Sequence, residues 1–192
     1  MKTLYIIAGC NGAGKTTASK TLLPEIWDCK EYVNADAIAF GLSPYNRERM
    51  SIAAGKIMLQ RIEELLEQEI SFSIETTLST RSYVKLVDRA HEKGYVVTLL
   101  FFWLSSPEMA IQRVAARKAG GGHSIDTDVI IRRYYAGIKN LKELYKDRVD
   151  SWTIVDNSTN PRWIVADSKA IYDQATYDRI MNQVAVKINN VQ

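Results

Sequence analysis

The sequence predicts an α/β domain, a mainly parallel five-stranded sheet between layers of helices, closed by a small C-terminal β-ribbon and a last helix. Strand-like runs at 3–8, 31–34, 71–75, 95–104 and 152–156 are separated by stretches of helical periodicity. The 192 residues, 46% of them hydrophobic, suffice for one sizeable core and not for two. No stretch rich in Pro, Gly or Ser marks a linker, so residues 1–192 are expected to form a single domain.

The first strand, 3–8, is apolar enough to suggest a secretion signal, but it runs straight into a glycine-lysine loop that makes better sense retained. Residues 15–23 read as the first helix. Ser43-Pro44 breaks the chain before a long helix over 46–69, where Ile52, Met58, Leu59, Ile62, Leu65 and Leu66 recur every three or four residues. A further helix spans 80–93. Ser105-Ser106-Pro107, a capping serine and a first-turn proline, opens another over 107–118, and Gly120-Gly121-Gly122 ends it. An amphipathic helix follows over 126–147, then the ribbon at 162–172 and a helix over 175–188. Trp103, Trp152 and Trp163 lie in apolar strands and are expected in the core.

Several classes are excluded. The longest apolar stretch, 95–104, is about half of what crosses a bilayer, so no membrane span is expected. Cys10 and Cys29 build no disulfide framework, and two histidines give no metal cluster at a familiar spacing, which fits a reducing cytoplasm. The net charge is +3; residues 1–106 carry 12 basic and 12 acidic side chains, whereas 107–148 carry nine basic and five acidic. A surplus this small and this local suits a lid-like helical segment closing on a small anion better than a nucleic-acid surface.

The loop after the first strand supplies the anion. Gly9-Cys10-Asn11-Gly12-Ala13-Gly14-Lys15-Thr16 satisfies G-x-x-x-x-G-K-[ST] between a strand and a helix, the context that gives this motif its meaning. Glycines let successive N–H groups turn into one concavity at the positive end of a helix. Asn11, Gly12, Ala13, Gly14, Lys15, Thr16 and Thr17 are therefore the expected nucleotide residues, Lys15 reaching the β- and γ-phosphates and the Thr16 hydroxyl holding Mg²⁺. No Asn-Lys-x-Asp motif reads guanine and no Leu-Ser-Gly-Gly-Gln signature marks a transport ATPase. Both readings weaken, and a chain this short, with its basic surplus gathered after the fourth strand, looks more like a small phosphotransferase, with ATP and Mg²⁺ as its cofactors and a three-layer, kinase-like P-loop NTPase as its fold.

Asp36 follows the second strand at the edge where an open parallel sheet presents ligands. A carboxylate there can orient an attacking hydroxyl and take its proton; it can equally cap a short helix over 37–40. Glu75 ends the third strand and can bind an acceptor hydroxyl or a water of the magnesium shell. Asn34 and Thr76, beside these carboxylates, are placed with the acceptor. Arg113 and Arg117 stand i, i+4 on one helix face, where an anion between them relieves their repulsion. Arg132 and Arg133 point about 100° apart, so at most one faces the site. His123 follows the glycines in a loop between two basic helices, and Cys10 is given no chemistry.

Together and in order, Gly9 to Thr17, Val33-Asn34-Ala35-Asp36, Phe72-Ser73-Ile74-Glu75-Thr76-Thr77, the Arg113/Arg117 helix and Asp156-Asn157-Ser158 resemble the zeta-toxin group of P-loop kinases over residues 1–166. The resemblance implies an ATP-dependent kinase; the best-known members phosphorylate the sugar of UDP-N-acetylglucosamine and are held in check by an antitoxin protein. Carried over, Lys15 and Thr16 serve the phosphates and Mg²⁺, Asp36 is the base, Glu75 binds the acceptor sugar, Arg113 clamps the γ-phosphate, and Asp156, Asn157 and Ser158 lie near the adenine. Where the toxins have a second clamping arginine, 13 positions beyond the first, this chain has Asp126. Arg117, His123 or Arg132 stands in for it. A kinase of another small metabolite or nucleoside, and a slow ATPase acting through a protein partner, stay open as alternatives.

Overall fold

The computed structural model describes residues 1–119 and 125–183. The predicted glycine stop at 120–122, His123 and the end of the last predicted helix lie outside the described residues.

The strands are β1 (Thr3–Gly9), β2 (Glu31–Val33), β3 (Phe72–Thr76), β4 (Val96–Trp103), β5 (Ser151–Asp156) and β6 (Trp163–Asp167). They form one six-stranded sheet in the order β2-β3-β1-β4-β5-β6. The first five run parallel and β6 is antiparallel to β5. Near-continuous apolar runs such as Val96–Trp103 follow from burial on both faces, as parallel sheets require. The predicted ribbon is thus a sixth strand, with its second arm reduced to a single bridge between Ala166 and Ile171. Val165 and Ala166 are fully buried, so this arm gains more by extending the sheet than by standing apart, while Trp163, at 44% exposure, lies on the open edge and outside the core.

The helices are α1 (Lys15–Thr21), α2 (Ala35–Leu42), α3 (Arg47–Glu67), α4 (Tyr83–Glu92), α5 (Pro107–Ala119), α6 (Thr127–Asn140) and α7 (Gln174–Asn182). Both α1 and α6 continue into one wider turn, closed by i→i+5 bonds from Trp27 N–H to the Leu22 carbonyl and from Lys146 N–H to the Leu141 carbonyl. In α3 the core face is Ala54, Met58, Ile62, Leu65 and Leu66; Ile52 and Leu59, seven residues apart on one stripe, are 75% and 56% exposed. None of the described helices is long and apolar enough to cross a membrane.

Parallel strands put their carboxyl ends on one edge. Gly9, Thr76, Trp103 and Asp156 end neighbouring strands there, Glu75 stands one residue inside β3, and β1 is where the chain order reverses, with β3 on one side and β4 on the other. That crevice is where an open α/β sheet presents ligands.

Candidate active site

The loop between β1 and α1 depends on two close approaches. Gly9 has φ 142°, and a Cβ there would lie 2.4 Å from the Phe102 carbonyl oxygen. Gly14, at φ 86°, precedes α1, and its missing Cβ would lie 2.4 Å from Asn157 Nδ2. Asn157 donates that Nδ2 to the Ala13 carbonyl at 2.8 Å, so the loop after β5 braces the phosphate loop directly. Amides of the first turn of α1, which have no partner within the helix, supply donors for an anion. Lys15 is buried and donates to the Cys10 carbonyl at 3.0 Å, folding its ammonium back over the loop. Burial pushes the Cys10 thiol up to about 11, which keeps it protonated and unreactive.

Glu75 gathers this side of the cleft. Its carboxylate accepts from the Thr16 hydroxyl at 2.9 and 3.1 Å, from Asn34 Nδ2 at 3.0 Å and from the Tyr32 hydroxyl, and lies 3.7 Å from Lys15 Nζ. Glu75 therefore faces the phosphate loop. A hydroxyl that gives its proton to a carboxylate keeps its lone pairs for a cation, so Thr16 fits Mg²⁺, with Glu75 behind it. The described residues hold no group of three or more metal-ligating side chains. Such an ion would take most of its ligands from phosphates and water, as Mg²⁺ commonly does. Thr17 is exposed on α1, and Thr76 accepts the Leu78 N–H at 3.0 Å, shaping the turn in which Leu78 adopts φ 58°.

The alternative role for Asp36, capping a helix over 37–40, falls to Asn34 instead. The Asn34 Oδ1 accepts from the Asp36 and Ala37 N–H groups at 2.8 and 3.2 Å, and α2 begins at Ala35. Asp36 is left with its carboxylate exposed to the cleft and without a protein partner among the described residues.

The basic helices divide differently from expectation. Arg113 and Arg117 share a face but no partner. Arg113 packs against Gly12 and donates to the Ser158 carbonyl at 3.3 Å, whereas Arg117 lines a cavity with Asp36. Of the adjacent pair, Arg133 faces the site and donates to Asn11 Oδ1 at 3.2 Å; Arg132 is exposed and lines neither cavity of the cleft. Counting about 100° per residue, Arg132 stands opposite the buried face of Ile130, Tyr134 and Gly137, and Arg133 stands at its flank. The helix is pressed there by Gly137, whose Cβ would lie 2.6 Å from the Thr77 carbonyl oxygen, and by Asn140, which donates to the Leu78 carbonyl.

Two cavities meet at this point. One, of about 240 Å³, reaches from Lys15, Asn34 and Glu75 to the hydroxyls of Thr76, Thr77, Ser79 and Thr80. The other, of about 520 Å³, lies between α2–α3 and α5–α6 and carries Arg47, Arg117 and Arg133. Asp36 and Arg133 line both. Tyr32 and Arg47 are absent from the residues that sequence alone singled out, and of the adjacent arginines it is Arg133, not the expected Arg132, that reaches the site. Tyr32 had a signal: it is two positions from Asn34, on the same side of an extended segment.

The profile of the zeta toxin family matches residues 1–169. An uncharacterized protein of Haemophilus influenzae is 30% identical over 126 residues, 66% of this chain and 88% of that one. The AvrRxo1-ORF1:AvrRxo1-ORF2 complex, solved with sulphate ions and also with ATP, matches with a TM-score of 0.77 at 16% identity over 94% of this chain. This chain spans 64% of the length of that one. The PezAT chromosomal toxin-antitoxin system of Streptococcus pneumoniae gives a TM-score of 0.70 at 20% identity, over 96% of this chain and 78% of that one. At such identities the likeness is one of fold.

Proposed function

Because the chain belongs to the zeta toxin family, we propose that it transfers the γ-phosphoryl group of ATP to a hydroxyl of a small, negatively charged acceptor, a description that a UDP-amino sugar fits. That it is a nucleotide-dependent phosphotransferase follows from the family; the UDP-amino sugar is the acceptor the resemblance implies, and the cleft supports it. The observation that carries it is the shared wall of the two cavities, where Asp36 and Arg133 stand between a chamber rich in hydroxyls and one that offers Arg47 and Arg117 alongside Glu48 and Asp126. A sugar hydroxyl held near Asp36, with the acceptor's own phosphates among Arg47 and Arg117, satisfies both linings.

In the proposed step the acceptor oxygen attacks the γ-phosphorus in line, its proton passes to the Asp36 carboxylate, and the bond to the β-phosphate oxygen breaks to release ADP. Lys15 and the loop amides hold the β- and γ-oxygens, and Arg133 meets the charge that spreads on the transferred group. Mg²⁺, held by Thr16 with Glu75 behind it, would neutralise charge on the same oxygens. Free, buried Cys10 and Cys29 fit work in a reducing cytoplasm. The AvrRxo1-ORF1:ORF2 and PezAT structures support an antitoxin-like protein partner.

The test is incubation with labelled ATP and a metabolite pool containing UDP-N-acetylglucosamine, read by mass spectrometry. One acceptor should gain a single phosphate, and Asp36→Asn should slow that gain by roughly 10²- to 10⁴-fold. ADP release indifferent to every acceptor, or full transfer by Asp36→Asn, refutes the assignment.

A further inference from the structure

Between the phosphate loop and α2 lies a closed set of hydrogen bonds in which Tyr32 plays a part that phosphate binding does not explain. Its hydroxyl donates to Glu75 and accepts from Asn34 Nδ2 at 2.8 Å. Asn34 in turn divides one amide between two duties. Its nitrogen reaches Glu75 and Tyr32, and its oxygen caps the helix that carries Asp36. Glu75 is thus gripped from the β2 side by Tyr32 and Asn34 and from the loop side by Thr16.

We propose that Tyr32 is a positioning residue for the metal-nucleotide site: by holding Glu75 in the orientation that takes the Thr16 proton, it keeps the Thr16 lone pairs turned toward Mg²⁺. This rests on the phosphotransferase function above. A threonine hydroxyl rotates freely and ligates a cation only when its proton is directed elsewhere. Glu75 supplies that direction, and a carboxylate on a three-bond stem needs a reason to stay in place. Tyr32 is a durable one: burial first, and the Glu75 charge second, push its phenol far above its ordinary range, so it remains a donor at any pH at which the protein works. The grip also reaches Asp36 through the Asn34 amide, so the carboxylate beside the metal and the carboxylate beside the acceptor take their places from a common support.

The test separates metal from nucleotide. Calorimetric binding of ADP is compared with Mg²⁺ and with EDTA in the wild type, Tyr32→Phe and Glu75→Gln. The phenylalanine variant keeps the half-buried ring and loses only the hydroxyl. Mg²⁺ should strengthen wild-type binding, and Tyr32→Phe should lose roughly tenfold of that enhancement, the loss expected for a hydrogen bond to a charged group. Its affinity in EDTA should be unchanged. Glu75→Gln should show the same loss, and the double variant no more than either single one. A Tyr32→Phe protein that keeps the full enhancement overturns the proposal, as does one weakened equally with and without Mg²⁺, which would mark Tyr32 as merely structural. Wild-type protein that binds no ADP under either condition overturns both this proposal and the phosphotransferase function; loss of the Tyr32 effect alone leaves that function standing.

Discussion

The cleft has two walls of different make. On the strand side, Glu75, Thr16, Tyr32 and Asn34 close their hydrogen bonds on one another and on the ends of β2 and β3. On the helical side, Arg133 reaches across to Asn11, Arg113 is tied to Ser158, and Arg117 faces the larger cavity with no protein partner among the described residues. A wall whose polar groups satisfy one another holds its geometry before any ligand arrives, as a preorganised site must. Arg117 keeps its donors for a ligand that brings its own charge, while Arg113 and Arg133 each spend one on the protein. Under the proposed function, the strand wall would set where the reaction occurs, and the helical wall what is admitted and how the transferred charge is met.

The largest effect should come from breaking the strand wall at its cation. Lys15→Ala removes an ammonium that sits 3.0 Å from the Cys10 carbonyl and 3.7 Å from Glu75. Transfer should fall roughly 10³-fold, at the upper end for loss of one preorganised donor, while the circular dichroism spectrum stays native. Glu75 would remain satisfied by Thr16, Tyr32 and Asn34, so the fold survives the change. A variant that transfers phosphate at even a tenth of the wild-type rate would show that the strand wall does not hold the phosphates.

The helical wall is sharpened by a pair of neighbours. Arg133→Ala should slow transfer on the order of 10²-fold. Arg132→Ala, one position away and exposed, should stay within about twofold, as surface changes do. Single-turnover rates with saturating ATP separate the two. If the pair behave alike, the helical wall acts by bulk positive charge rather than by an aimed guanidinium, and raising the salt concentration should then abolish the difference from the wild type in both.

How legible these walls are in the sequence follows the same division. The phosphate loop is a local pattern, and local backbone chemistry puts it where the motif says: a glycine wherever a Cβ would strike Phe102 or Asn157, and a lysine at the start of a helix. Strands β1 and β4 are equally legible, because burial on both faces writes a near-continuous apolar run, whereas β2 at the sheet edge is only Glu31–Val33 with Val33 alone buried. Position on a helix is harder. Arg132 and Arg133 are identical in type and adjacent, and only the buried face of Ile130, Tyr134 and Gly137 decides between them. The residues at 162–172 carry strand propensity without stating which partner they pair with, so their membership of the main sheet through Val165 and Ala166 is a tertiary fact. Tyr32 looks like an ordinary strand residue until Glu75, 43 positions away, is brought to its hydroxyl.

The smallest effect belongs at the edge of the sheet away from the cleft, and it tests whether the site is insulated from it. Asp150 accepts the Val97 N–H at 2.7 Å and His91 Nε2 at 2.9 Å, near the start of β4. Its partial burial works to raise the pKa of its carboxyl, but the Val97 amide and His91 outweigh it and hold the group below its ordinary 3.8. A depressed carboxyl stabilises the fold fully above the unfolded value and loses that contribution as the pH falls through the folded one. The wild-type Tm should therefore fall more steeply than that of Asp150→Asn as the pH drops below about 4, the ordinary range of the carboxyl. The side chains are 34% and 47% exposed, so solvent screening keeps the pair to about 1 kcal/mol or less. At neutral pH the variant should transfer phosphate at the wild-type rate. A loss comparable to that of Arg133→Ala would mean that β4 conveys strain from its first residues to Trp103 and the phosphate loop, and that the two walls are not independent of the sheet on which they stand.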